Sequence, residues 1–528
     1  MSADLVIRGA KVHTPAGFVP ADVVVADGRI DGLVSPGETV ADAATVLGAG
    51  CWLTPGFIDL HAHSALRSFD EPQMAAKVSQ GFTTQLICPD GLGPAPVDDA
   101  HLNDRRDYLA GLEPSTLGTW SWRTFDEYLS VLDATVPATD LVSCVPHSAL
   151  RQVVMGDDDR DATVGELRAM QELADVCLSA GGAAISFGMI YAPGMYGHGR
   201  ELRALAQIAA KHGVALIPHV RNEAGESLAA MSEFIDACRG TGARLHISHL
   251  KLIGNETLLD ELLGLLETAA SRIDLSVDQY PYGAGSTLLT ALLPPWAMDG
   301  GPSAALARVN DRAVRKKLAA DMNHGLPGWE NLFGSCGPEQ VTITQARGLD
   351  EVVGCTVAQA ADILHCDPAT AVIEICARTD LDAAMIDHYS SERVVHEIYR
   401  RSGSMLGSDG VFNPSPHPRL YGSTGRFLGR FAIRGNLAPV TEVIERMTAR
   451  PAAMLGLADR GVIAPGRRAD LVLLNPQEFV DTASFENPCS YTTGVYGVWV
   501  AGQKVWTGAT PTGARPGHVV RIGKGDTL

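Results

Sequence analysis

The sequence predicts a (β/α)8 barrel with a small all-β domain built from both chain ends and a helical insertion near the barrel mouth. Short apolar runs broken by Gly and Pro recur at both ends of the chain. Between them, eight apolar strand-like runs alternate with stretches of helical spacing, the pattern of a parallel sheet closed by helices. Histidines and an aspartate stand at the ends of those runs, which is where a parallel barrel keeps its active site.

At the N-terminus, DLVIRG (4–9) and DVVVADGRI (22–30) read as strands joined by tight turns, and ADLVLLNP (469–476) and GVWVAGQKVW (497–506) repeat the pattern at the far end. Residues 1–54 and 461–528 are therefore assigned to one β domain.

Residues 55–460 hold the barrel. GFIDLHAH (56–63) is its first strand, EPQMAAKVSQG (71–81) has helical spacing, and FTTQLIC (82–88), LVSCVPH (141–147) and AAISFGMIY (183–191) are the next three strands. ELRALAQIAAKHG (201–213) sets Leu202, Leu205, Ile208 and Ala209 on one helical face and stops at Gly213. VALIPH (214–219), RLHISH (244–249) and DLSVDQY (274–280) follow, with apolar helical stretches between them. SMLGSD (404–409) is the eighth strand. The segment of about 283–400 is too long for a loop and is predicted to be the helical insertion.

The 528 residues carry a formal charge of −19, which argues against nucleic-acid binding through bulk charge. The N-terminal MSADLVIRGAKVHTPAG lacks a basic stretch leading into an apolar run, and no uninterrupted apolar run of about 18 residues occurs. These features predict a cytoplasmic protein with no membrane partner. The 10 cysteines form no CxxC pair and sit largely in apolar stretches, as buried hydrophobes do.

His61 and His63, two residues apart on a strand, leave one face together and supply half of a tetrahedral metal shell. His219 and His249 are 30 residues apart, about one βαβ repeat, and so take equivalent places on neighbouring strands. Asp409 ends the eighth run. The shared register at strand ends points to a metal site more strongly than any of these residues alone. A divalent metal there activates water and polarises a carbonyl while a carboxylate shuttles the proton, so hydrolysis of a C–N bond is expected, with Asp409 as the carboxylate.

The segments PGFIDLHAH, IPHVRNE, HISHLK and GSDG resemble those of the amidohydrolase superfamily, and SQGFTT, IYAPGMY, DQYPYGAGST, LLPPWAMDGG, HPRLYG, MTARPAAMLGL and TGARPGHVVR resemble N-acyl-D-amino-acid deacylases in the same order. The likeness covers nearly the whole chain. It implies a barrel flanked by a β-sandwich, one or two zinc ions with another divalent metal as an option, and release of a carboxylic acid from an N-acyl-D-amino acid. Residue by residue it implies His61, His63, His219 and His249 as metal ligands and Asp409 as ligand and catalytic base. Lys251 and Arg419 match positions that hold the substrate carboxylate, and Tyr191 and Tyr282 match tyrosines of the pocket. The plainer readings are surface charge for Lys251 and Arg419 and core packing for the tyrosines.

One stretch departs from the family. Its members usually carry GNCG after the second strand, where the cysteine binds metal, and this chain reads ICPDG. An ungapped count puts the family cysteine at Asp90, with Cys88 two residues early. Either lies near the strand end; Asp90 is the expected ligand, a hard carboxylate in place of a soft thiolate. His147, at the end of the third run, is either a pocket residue or a structural one.

The expected substrate is a small molecule with a free carboxylate, and a homo-oligomer is left open. A cyclic amide hydrolase of the hydantoinase or dihydroorotase kind is a rival reading. Those relatives use a carboxylated lysine at the end of the fourth strand, and AAISFGMIY has none. A non-catalytic scaffold is the other rival, although such proteins lose ligands that this chain keeps.

Overall fold

The computed structural model describes residues 3–38 and 43–523. Eight parallel strands make the barrel: Phe57–His63, Phe82–Ile87, Asp140–Ser143 continued by Val145–Pro146, Ala184–Gly188, Ala215–His219, Arg244–Ile247, Leu275–Gln279, and Met405–Leu406 continued by Gly410–Val411. Each pairs with the next in chain order. Gly410–Val411 pairs with Ala62–His63 of the first strand, which closes the barrel. All seven residues of Phe57–His63 are buried, because helices cover the outer face and side chains fill the inner one.

The helix Gly199–His212 shows how sequence sets the outer ring. It buries Leu202, Leu205, Ala206 and Ala209 against the barrel, each leucine worth about 1.5–3 kcal/mol of burial. Gly213 then ends it in a left-handed conformation (φ 68°) that costs a glycine little. Val164–Ser179 begins with a capping box in which the Thr163 hydroxyl accepts from Glu166 N and the Glu166 carboxylate from Thr163 N.

The chain ends form two facing sheets. One orders Arg29–Val34, Asp22–Ala26, Leu5–Arg8 and Ala44–Leu47. The other orders Gln503–Trp506, Val495–Val500, Leu471–Leu474, Trp52–Pro55, Lys11–Thr14 and Gly17–Pro20. Strand alternation divides their apolar residues: Leu471 and Leu473 join Ile7, Val23 and Leu53 between the sheets, whereas Val472 and Leu474 face Phe57 and Phe82 of the barrel. The six-stranded sheet is thus the plate on which the barrel sits.

The C-terminal segment differs from the expectation. Val519–Val520 pairs with Leu141–Val142 of the third barrel strand and not with the β domain, and residues 1–2, 39–42 and 524–528 of the expected domain lie outside the described residues. A buried ion cluster holds that end in place: Asp140 meets Arg468 at 3.1 Å and His518 at 3.0 Å, and also pairs with Arg460.

The insertion also differs. Its helices, among them Gly301–Asn310, Arg312–His324 and Pro368–Arg378, pack on an antiparallel sheet ordered Ala284–Leu288, Ala383–His388, Val341–Ala346. AGSTL and AAMIDH are short and mostly buried on both faces, so they lack the alternation that marks a strand in sequence. This sheet brings the insertion over the barrel mouth.

Candidate metal and active site

The barrel register brings His61, His63, Asp90, His219, His249 and Asp409 to one end of the strands, all buried. Ligand atoms of His61, His63, Asp90 and Asp409 lie within 4.8 Å of one another, and so do those of Asp90, His219 and His249. Asp90 belongs to both groups. Its Oδ2 lies 3.2 Å from His61 Nε2 and 3.4 Å from His63 Nε2, and its Oδ1 lies 3.4 Å from His249 Nε2 and 3.8 Å from His219 Nδ1.

Local backbone conformation produces this convergence. Cys88 (φ 57°) and Asp90 (φ 54°) are both left-handed and flank Pro89, so the two-residue spacing no longer puts both side chains on one face. Asp90 turns into the cluster. The Cys88 thiol stays in the core, where burial above all pushes it up to about 12. His249 (φ 35°) and Asp409 (φ 50°) are left-handed too, a strain that concentrates at functional sites. Asp59 ties the first strand to the eighth by accepting from Ser408 N (2.7 Å), His61 N (3.2 Å) and Lys77 Nζ (2.8 Å).

The cluster suits a divalent cation. His61 Nδ1, Asp90 Oδ1 and both His219 ring nitrogens are buried without hydrogen-bond partners. Burial holds His219 down to about 3, so it stays a neutral imidazole with a lone pair to give. Burial opposes charge on His63 and His249 as well, yet the carboxylates push them up to about 9 and about 10: Asp409 and Asp90 beside His63, Glu223 and Asp90 beside His249. A site that draws protons this strongly is short of positive charge, which a metal supplies.

Around the cluster lies a cavity whose lining includes His63, Asp90, His219, His249, Asp409 and Arg419. Arg419 is 1% exposed, so it is no surface charge; its Nη1 stands 3.0 Å from Asp409 Oδ2, Nη2 donates to Ser286 O at 3.0 Å, and the guanidinium lies 4.4 Å from the Tyr280 ring centre. Burial alone would raise the Asp409 carboxyl, but Arg419 first, then His61 and His63, hold it well below the usual carboxylate range. Lys251 Nζ is 2.7 Å from Glu223 Oε2 and 2.8 Å from His249 Nδ1. The Tyr191 hydroxyl meets Thr287 Oγ1 at 2.7 Å inside the cavity.

Tyr282 is not brought to this cavity. Its ring lies 5.1 Å from that of His417 and 4.9 Å from the Arg426 guanidinium, in a separate cleft with Arg430 and Asp481. Tyr280, the first residue after the seventh strand, lines the cavity instead, since the turn at Pro281 carries Tyr282 outward. His147 is structural: its Nε2 is 2.6 Å from Glu201 Oε1, and Arg151 meets the other oxygen at 2.6 Å.

Further acidic and hydroxyl groups of the cavity escaped the sequence. Glu223 sits four residues after His219, a spacing visible in HVRNE; its carboxylate faces His219 Nε2 (3.4 Å) and His249 Nδ1 (3.3 Å). Ser286, Glu330 and Asp387 come from the insertion and carry no sequence signal. Burial pushes Glu330 up to about 8, aided by Glu223, and burial pushes Asp387 up to about 6.

Residues 398–506 match the Amidohydrolase family. The chain is 31% identical to an N-acyl-D-aspartate deacylase of Alcaligenes xylosoxydans xylosoxydans, over 99% of this chain and 95% of that one. It is likewise 31% identical to a D-aminoacylase of the same organism, over 95% and 98% of the two chains. The crystal structure of an N-acyl-D-glutamate deacylase from Bordetella bronchiseptica, complexed with zinc and a phosphonate inhibitor, superposes with a TM-score of 0.83 at 29% identity, covering 99% of this chain and 100% of that one. No helix among the described residues is long and apolar enough to cross a membrane.

Proposed function

Since the chain belongs to the N-acyl-D-amino-acid deacylase family of amidohydrolases, we propose that it hydrolyses the amide bond of N-acyl-D-amino acids or related linear amides, releasing a carboxylic acid and a D-amino acid, with zinc as its metal. One observation carries this reading: a single cavity is lined by the histidine–carboxylate cluster, by Asp409 and by the two cations Arg419 and Lys251.

His61, His63, Asp90 and Asp409 would hold one ion and His219 and His249, with Asp90 shared, a second. A divalent metal at such a site lowers the pKa of water and polarises the acyl carbonyl. Asp409 takes the proton from the attacking water and returns it to the leaving nitrogen, as general base and then acid. Its pairing with Arg419 keeps it ionised. Arg419, whose Nε has no hydrogen-bond partner, orients the substrate by its free carboxylate, and Lys251 assists. Tyr191 and Tyr280 line the cavity.

The fourth strand, Ala184–Gly188, has no lysine to carboxylate, which sets this site apart from the cyclic amide hydrolases. A cytoplasmic location accords with ten cysteines that are all unpaired. The test is a hydrolysis screen of paired D- and L-N-acetyl amino acids and several hydantoins, run beside metal analysis. Cleavage of the D-series by zinc-loaded protein is expected; hydantoin opening with no deacylation would overturn the proposal.

A further inference from the structure

We infer that this cavity selects N-acyl-D-amino acids whose side chain is positively charged, and that Glu330 and Asp387 of the insertion are the residues that read it. The inference rests on the deacylase reading and adds the substrate class to it.

Both carboxylates line the cavity, and Glu330 is 3% and Asp387 4% exposed. Glu330 Oε1 accepts from the backbone N of Glu223, but Oε2 is buried with no partner. Asp387 projects from the strand Ala383–His388 across Gly285, where a Cβ would come within 2.7 Å of its Oδ1, so the glycine makes room for the carboxylate. Lys251 favours the charged form of both carboxyls and Arg419 that of Asp387, but burial opposes it more. Of the other charges, Asp90 and Asp409 belong to the metal cluster, Arg419 meets Asp409 at 3.0 Å and Lys251 meets Glu223 at 2.7 Å, while Glu330 stands with Glu223 beside His219, ligand atoms within 4.8 Å of one another.

Burial opposes ionisation of both carboxyls, and an occupant that brings a cation against them favours their charged forms. Arg419, whose Nε makes no hydrogen bond, is suited to the α-carboxylate. Ile190, Ile253 and Leu332 add apolar wall along which methylenes can lie. A substrate with a carboxylate at one end and an ammonium or guanidinium at the other, joined by a short aliphatic stem, matches these features. An acidic side chain would face like charge and be rejected.

The test compares kcat/KM of the zinc-loaded enzyme on the Nα-acetyl derivatives of D-lysine, D-arginine, D-norleucine and D-glutamate. Norleucine reproduces the lysine stem without the charge. Lysine and arginine should exceed norleucine by at least about tenfold, the scale of one charged hydrogen bond, and glutamate should fall below it. Glu330→Gln and Asp387→Asn, which preserve shape, should each reduce the lysine-to-norleucine ratio. Norleucine equal to or better than lysine in the unmodified enzyme overturns the inference, and that comparison needs no variant to fold. A ratio unchanged in both variants overturns it too. If no N-acetyl-D-amino acid is cleaved, the deacylase reading fails as well; if they are cleaved with neutral side chains preferred, only the present inference fails.

Discussion

Arg419 Nη1 stands 3.0 Å from Asp409 Oδ2, a cation against the proposed catalytic base with both residues buried. The pairing lowers the Asp409 pKa, and removing the cation must raise it. In Arg419→Ala the acid limb of the pH–rate profile should therefore move to higher pH. The same variant should lose about 1.5–3 kcal/mol of substrate binding if one charged hydrogen bond to the carboxylate is broken. That second loss should vanish for the neutral substrate amide; an equal loss on the amide would make Arg419 structural.

Asp409→Asn keeps the shape of the side chain and removes the proton acceptor. Turnover should drop by about 10² to 10⁴-fold. Near-normal turnover at full metal content would exclude Asp409 as the base.

Glu223 faces a ring nitrogen on each of His219 and His249, and its Oε2 also pairs with Lys251 Nζ at 2.7 Å. A carboxylate behind a ligating imidazole fixes its tautomer and raises its basicity. Glu223→Gln should weaken metal binding by about 10–100-fold, read by chelator competition. Unaltered affinity would confine Glu223 to its pairing with Lys251.

Much of this site is legible in sequence because the barrel converts chain position into spatial position. His61, His63, His219, His249 and Asp409 each end a run of apolar residues, and equal register brings equal strand ends together. Asp90 is legible by counting, although the left-handed turns around Pro89 that aim it are not. Glu330 and Asp387 are illegible, since the docking of an insertion depends on tertiary packing and its short buried strands have no period. Tyr280 and Tyr282 differ only in which side of Pro281 they occupy, and the strand-end rule favours Tyr280 where likeness favoured Tyr282.

The cluster at Asp140 concerns stability. Burial alone would raise the Asp140 carboxyl, but Arg460 and Arg468, then His518, outweigh it and hold it well below the usual range. A carboxylate depressed in the folded state stabilises at pH above its unfolded pKa of about 3.9 and loses that contribution as pH falls toward the folded value. Asp140→Asn should cost about 1.5–3 kcal/mol in urea unfolding at neutral pH, because Arg460 and Arg468 lose a shared carboxylate and keep Asp459 and Asp470. A cost under about 1 kcal/mol would show that the cluster is solvated.

Asp90 as the shared carboxylate of the metal site is the central claim, and metal content per chain tests it most directly. Asp90→Ala and Cys88→Ala, purified side by side, differ only in which candidate ligand is lost. Asp90→Ala should lose zinc and activity together, and Cys88→Ala should keep both near the unmodified level. Full zinc in Asp90→Ala with zinc lost from Cys88→Ala would contradict the account and return the site to a thiolate ligand.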